Sequence, residues 1–372
     1  MSPREWQSQV SAMDRYEIIR KINAGSMSEA IAFEQKAFSE AESQADYERA
    51  CETFTPATEA GDSSESAAPL DSDAAHGCQI GSYQGCQMIA DGVTSEVYRS
   101  GDTALKVIVT YQNLEPHNPQ REIKILQRLQ PPCIPLLETF RDQEKRLVLA
   151  FPYMPYTFNA LLEAGAPSPH QLKSIFGDVL RALQSLHSQG IIHRDLKPSA
   201  VLLESPDGPA YLSDFGTAWH PDFSSRSEPP DDKILDIGTG PYRAPEVLFG
   251  NKSYGPPVDM WALGVMLAEA SQDPPMPLFE SRAVHEDGNQ LGLILSIFKT
   301  LGTPNETTWP EAAGFKVNPF QLWTVFPQRP WSAILPDVDP TSRDLIASLV
   351  RFDGKRADAS EALRSLALIT SG

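Results

Sequence analysis

The spacing of hydrophobic positions changes along the 372-residue chain. Residues 87–99 and 103–110 alternate apolar and polar side chains, the period of a strand with one buried face. Val148–Phe151 is a short buried run bounded by charge and reads as another strand. Further on, Leu172, Ile175, Phe176, Val179, Leu180, Leu183, Leu186 and His187 recur at i, i+3 and i+4, which predicts a long amphipathic helix. Ser168 can cap its start, and Gly190 can close its end in the left-handed conformation. A mostly β region followed by a mostly helical one predicts an α+β protein with a small and a large lobe.

Ahead of this lies a different texture. Residues 28–53 predict one helix, with Ala30, Phe33, Ala37, Phe38 and Ala41 on a common face. Residues 54–77 are polar, acidic and small, too poor in apolar surface to offset chain entropy, and read as disordered. The organisation expected is a partly helical extension over 1–53, an acidic linker over 54–84 and one large domain over 85–370. No internal repeat is present.

Charge narrows the function classes. The net charge is −18, and residues 1–85 hold half of it, with 6 basic and 15 acidic side chains. Neither nucleic acid nor an anionic membrane would attract such a chain. No apolar run reaches the roughly 18 residues a membrane helix needs. The opening MSPREWQSQV lacks the apolar core of a secretory signal. Cys51, Cys78, Cys86 and Cys133 form no C-x-x-C pair and read as free thiols of a reducing compartment.

Four short motifs carry the chemistry: TALKVI at 103–108, HRDLKPSA at 193–200, DFG at 214–216 and APE at 244–246. Each alone is weak, but in this order they resemble the signature set of eukaryotic protein kinases over about residues 85–370. The resemblance implies a two-lobed kinase fold. The small, mostly antiparallel-β lobe with one helix would cover about 85–152, and the larger, mostly α-helical lobe about 155–370. It implies ATP and Mg2+ as cofactors and phosphoryl transfer to Ser/Thr hydroxyls of proteins. Asp195 would orient the hydroxyl and accept its proton, and Lys197 would meet the γ-phosphate. Asp214 would bind the metal ion. Lys106 would reach the α- and β-phosphates, held by a buried ion pair with Glu122 of QREIKIL. Ile89, Ala90, Gly92, Val97, Ala104, Phe151, Tyr153, Met154 and Leu202 would line the nucleotide, with Phe151 as gatekeeper and Tyr153 and Met154 in the hinge. In support, Asp259 matches the aspartate that anchors the catalytic-loop backbone, Glu246 and Arg356 match a buried pair, and Leu126, Leu136, His193 and Phe215 match a stacked apolar column.

The stretches GTGPYRAPEVLFGNKSYGPPVDMWALGVMLAE and LFESRAVHEDGNQLGLILSIFKTLGTPNETTWP resemble the group of cyclin-dependent and MAP kinases. Within it the chain is most similar to cyclin-dependent kinases and to their single-subunit activating kinases. Ile234 stands where the activation-loop phosphothreonine usually lies. Arg194 would ordinarily pair with that phosphate, and Asp231, Asp232 or Asp236 could offer a fixed charge instead. The cyclin-contacting motif is poorly matched (PHNPQRE), which argues against cyclin dependence. A monomer acting on protein substrates, another kinase among them, in cytoplasm or nucleus is the expectation. Arg243 in PYRAPE is compatible with proline-directed substrates and with activating kinases that ignore proline.

Two departures matter. The phosphate-covering loop IADGVTSEVY (89–98) keeps Gly92 but has Ala90 and Ser95 where the family has glycine, so backbone amides approach phosphate less freely. A similar stretch, INAGSMSEA at 22–30, leads into a helical pattern and reads as a decoy. Ala200 replaces the asparagine that ligates a metal ion, and alanine has no ligand atom. The competing reading is therefore a pseudokinase scaffold that binds nucleotide or a partner kinase with little or no transfer.

Overall fold

The computed structural model describes residues 77–369 apart from 93, 110–114, 282–289 and 321–323, together with residues 18, 33, 37, 38, 41 and 43–52. The chain divides into two compact units: Met1–Gln112 with Glu138–Ala150, and Asn113–Leu137 with Phe151–Gly372.

The first unit is built on a six-stranded sheet. Its strands are β1 (Cys78–Ile80), β2 (Tyr83–Asp91), β3 (Ser95–Ser100), β4 (Thr103–Ile108), β5 (Glu138–Arg141) and β6 (Leu147–Pro152). They lie in the order β1-β2-β3-β4-β6-β5, and the β1–β2, β2–β3, β3–β4 and β5–β6 pairs are antiparallel. Ile80, Cys86, Leu105, Val107, Val148 and Ala150 form its core, with Tyr83, Tyr98 and Phe140 packed against it. The expected run over 87–99 is two strands. A hairpin interrupts it, where Gly92 N donates to Ser95 O at 3.1 Å. The expected linker over 54–84 also ends early: β1 and the start of β2 lie within it, because Ile80 supplies a core side chain. Residues 54–76 lie outside the described residues.

Of the helix expected over 28–53, the structure describes α1 (Gln44–Glu52). Phe33, Ala37, Phe38 and Ala41 do share a face, gathered with Ile18, Tyr47 and Cys51. Ala30 lies outside the described residues, as does the whole of the 22–30 decoy.

The second unit holds α2 (Pro119–Leu126), α3 (Phe158–Ala164), α4 (Pro169–Ser188), α5 (Pro221–Ser224), α6 (Pro245–Leu248), α7 (Pro257–Ala270), α8 (Gln290–Leu301), α9 (Trp331–Ile334), α10 (Pro340–Leu349) and α11 (Ala359–Ala367). A small sheet of β7 (Tyr156–Thr157), β8 (Val201–Leu203) and β9 (Ala210–Leu212) joins them. The predicted amphipathic helix is α4. Ser168 and Gln171 close a capping box at its start, and Gly190 beyond its end has φ +72°. Its buried face includes Ile175, Phe176, Val179, Leu180, Leu183 and Leu186. Helix α7 is buried from Val258 to Ala270 and so is apolar nearly all round. Among the described residues no helix is long and apolar enough to cross a membrane.

Helix α2 is tied to the segment that follows β9. Asn118 N donates to Gly216 O at 3.0 Å, and Arg121 reaches Glu228 at 3.4 Å.

Candidate active site

The catalytic loop begins with a backbone that is difficult to hold. Arg194 has φ +74°, a left-handed conformation that side chains other than glycine disfavour. Asp259, on the first turn of α7, holds it there. Its carboxylate accepts from His193 N and Arg194 N at 2.9 Å each, and from His187 Nε2 at 2.9 Å. Burial pushes the Asp259 carboxyl up, but His187, His193 and the Arg194 amide outweigh it and hold the group below its ordinary value. The anchoring role expected of Asp259 is thus present in the geometry.

Downstream of this anchor, three side chains close a triangle. Lys197 Nζ donates to Asp195 Oδ2 at 2.5 Å and to Thr239 Oγ1 at 3.3 Å. Thr239 Oγ1 donates to Asp195 Oδ1 at 2.6 Å. Both carboxylate oxygens are therefore engaged, and an ammonium stands beside them. Asp195 and Lys197 stay partly open to solvent, with side chains 10% and 22% exposed. A charge pair at a surface opening can exchange partners with an incoming hydroxyl and phosphate, as a sealed pair cannot. Thr239 carries no role in the sequence reading; its place within GTGPYRAPE, five residues before APE, is the available signal.

The DFG segment sits on the same framework. Asp214 adopts φ +61°, and Phe215–Thr217 form one turn of 3-10 helix. Phe215 meets the His193 ring edge-on at 5.1 Å, and His193 Nε2 pairs with Ser213 O at 2.8 Å. A Cβ on Gly216 would lie 3.5 Å from Glu122 Oε2, 3.6 Å from His117 Nδ1 and 3.7 Å from Asp214 Oδ1. Glu122 and Asp214 thus gather at Gly216. Leu126 is buried with the other two members of the expected column. Leu136 is half-buried.

Ala200 ends the 3-10 turn Pro198–Ala200 and is 1% exposed. Its carbonyl accepts from Ser213 N at 2.8 Å and from Ser213 Oγ at 2.9 Å. The backbone geometry next to Asp214 is therefore fixed without any polar side chain at 200. Among the described residues no three His, Cys, Asp or Glu side chains converge as a metal cage. One carboxylate fits Mg2+ nonetheless, since that ion keeps waters and takes phosphate oxygens as its other ligands.

The remaining expected residues fall on their elements as follows. Ile89 and Ala90 end β2, Gly92 turns the hairpin, Val97 lies on β3, and Ala104 and Lys106 on β4. These belong to the first unit. Phe151 on β6, Tyr153 and Met154 after it, Leu202 on β8, Glu122 on α2 and Asp214 belong to the second. Elsewhere in that unit Arg356 binds Glu246 through its two terminal guanidinium nitrogens, at 2.6 and 2.8 Å, and stacks on Trp261.

The fixed charge facing Arg194 comes from a residue that had not been expected to supply it. Asp231, Asp232 and Asp236 do not reach it. Asp232 pairs with Lys252 and Asp236 with Arg243, both at the surface. Glu228 takes the role. It is fully buried and accepts from Arg194 Nη1 at 2.5 Å and Nη2 at 3.1 Å, while Ile234 N donates to its other face at 3.1 Å. Burial raises the Glu228 carboxyl, but Arg194, then the Ile234 amide and Arg121, hold it below the usual range. Arg194 in turn is held above its ordinary value: burial works to lower it, and Glu228 outweighs burial.

Residues 83–366 match the family model described as "Protein kinase domain". The chain is 35% identical over 303 residues to "Serine/threonine-protein kinase csk1" of Schizosaccharomyces pombe, a match covering 76% of this chain and 93% of that protein. Its fold resembles a chain in the crystal structure of the yeast RNA Pol II CTD kinase CTDK-1 complex, with TM-score 0.63 and 26% identity over 81% of this chain and 95% of the other.

Proposed function

The chain belongs to the protein kinase family, and from that premise we propose that it is an active serine/threonine kinase of the cyclin-dependent-kinase-like type. The observation that carries the reading is the triangle of Asp195, Lys197 and Thr239. An acceptor hydroxyl replacing Thr239 Oγ1 at Asp195 Oδ1 would donate its proton to that carboxylate and turn its lone pairs outward. Lys197, freed toward the incoming phosphate, would balance the charge on the transferred group's oxygens. The protein's work in such a transfer is positioning and electrostatics, with little covalent chemistry of its own.

Mg2+–ATP supplies the phosphoryl group and neutralises its charge. Asp214 would hold the metal ion and Lys106 the α- and β-phosphates, with Glu122 as the partner of Lys106. Ile89, Ala90, Gly92, Val97, Ala104, Phe151, Tyr153, Met154 and Leu202 would line the nucleotide. Protein substrates, other kinases among them, are the proposed acceptors. Arg243 donates to Gly238 O from Nε at 3.2 Å and from Nη2 at 3.0 Å, with Gly238 at φ +78°. That carbonyl is used up within the chain, so a substrate residue lacking an N–H would lose nothing beside it.

Ala200 favours a second reading, a pseudokinase that binds nucleotide or a partner kinase without turnover. Radiolabel transfer with Mg2+ or Mn2+ separates the two. Incorporation that disappears in Asp195→Asn supports the kinase, and equal incorporation by both proteins removes it. Nucleotide affinity with and without Mg2+ tests Ala200 and the thinned loop together. The reading also includes activity without loop phosphorylation, since Glu228 already faces Arg194. Phosphatase treatment should leave the rate of the pure protein unchanged.

A further inference from the structure

We propose that Cys78 and Cys86 form a thiol–disulfide site, which a disulfide oxidant of the glutathione type closes and a thiol reopens. The two residues face each other across the hairpin of β1 and β2 in the first unit. Neither takes part in the proposed phosphoryl transfer.

The pairing is made by a bulge. Ile80 stands opposite Tyr83 across the turn Gly81-Ser82, so regular pairing would set Cys78 opposite Gly85, which has no side chain. The register instead shifts by one, and Cys86 takes that place. Gly85 is the extra residue, with φ +63°, the left-handed conformation of a glycine bulge. Directly opposed residues of antiparallel strands lie roughly 4.5–5.5 Å apart at Cα, inside the range of about 4.4–6.8 Å that a disulfide spans. The backbones are in close contact here: a Cβ on Gly77 would fall 2.6 Å from Cys86 O.

The two thiols suit a two-step exchange. Cys78 is exposed, whereas Cys86 is buried in the core with Ile80, Leu105 and Val107. Cys78 Sγ donates to Cys86 O at 3.5 Å and Cys86 Sγ to Tyr83 O at 3.5 Å, weak bonds that keep both sulfurs within the hairpin. Partial burial first, and then the Cys86 thiol, push the Cys78 thiol up, a sign that the two sulfurs sense each other. Cys78, once deprotonated, attacks glutathione disulfide, displaces one glutathione thiolate and is left as a mixed disulfide. Cys86 then loses its proton, attacks the Cys78 sulfur and displaces the second glutathione thiolate. Two protein thiols are oxidised, and one glutathione disulfide is reduced to two thiols. The oxidant meets Cys78 first because Cys86 is closed to it. The other two cysteines lie apart: Cys51 packs with Ala37 and Tyr47, and Cys133 belongs to the second unit. Strand β2 runs on to the hairpin turned at Gly92, so the bond pins the root of that hairpin.

The test exposes the pure, reduced full chain to graded ratios of glutathione disulfide to glutathione and maps the products by mass spectrometry after non-reducing digestion. The wild type should give a Cys78–Cys86 linked peptide as its main product, lost again in excess glutathione. Cys86→Ala should stop at a glutathione adduct on Cys78, and Cys78→Ala should leave Cys86 unmodified. Closure should slow amide exchange over residues 78–86 by about tenfold or more. A wild type that stays fully reduced, accumulates the Cys78 adduct without the link, joins Cys78 to another cysteine, or reacts only after unfolding in guanidinium overturns the site. Linkage with unchanged exchange overturns the pinning of the hairpin. The wild type alone decides both points, so poor folding of Cys86→Ala does not shelter the proposal.

Discussion

Glu228, which faces the catalytic loop, and Asp195, which stands on it, have surroundings built in opposite ways. Around Glu228, burial is complete and every lone pair is directed at a guanidinium or a backbone amide. Around Asp195, the partners are a lysine and a threonine that are partly exposed and can be displaced. The first arrangement suits holding a shape, because breaking it strands buried charge. The second suits chemistry, because its partners can be exchanged with little reorganisation. The protein separates these tasks by burial and not by residue type.

The comparison can be broken most severely at Asp195. Asp195→Asn should lower kcat by about 10²–10⁴ through loss of the proton acceptor, while the melting temperature stays near the wild-type value, checked by label transfer and calorimetry. Unfolding of that variant would erase the distinction. Glu228→Ala should show the reverse emphasis, a stability loss of about 3–5 kcal/mol in denaturant titration, since buried Arg194 loses its carboxylate and Arg121 keeps only Glu115. The same residue gives a pH signature. Its folded carboxyl is held below the reference value of 4.5, so its contribution is complete above that value and fades as pH falls through the lower, folded one. The acid limb of the wild-type stability curve should therefore be steeper than that of Glu228→Ala. Ala200→Asn, adding back a ligand atom beside Asp214, should raise Mg2+-dependent kcat by about 10², an effect the size of one lost transition-state contact. Smallest of all, Lys252→Ala breaks an exposed pair with Asp232 and should cost under about 1 kcal/mol and leave activity unchanged.

The same contrast explains what the sequence could reveal. Helix α4 was legible because its face, its capping box and Gly190 are all local. The pairing of Lys197 with Asp195 was legible because the two stand two positions apart in HRDLKPSA. Glu228 was not. The stretch from 228 to 236 offers several acids of equal appearance, and only tertiary burial selects one. The tie from α2 to Glu228 was hidden for the same reason, since its partner lies about a hundred positions away. The break at Gly92 was masked because a tight hairpin preserves alternation on both sides.

The left-handed backbone of Asp214 has a consequence for how such a molecule ages. Glycine would sit in that conformation at no steric cost, so Asp214→Gly would relax the chain locally. Mutational drift therefore meets little resistance from folding at this point.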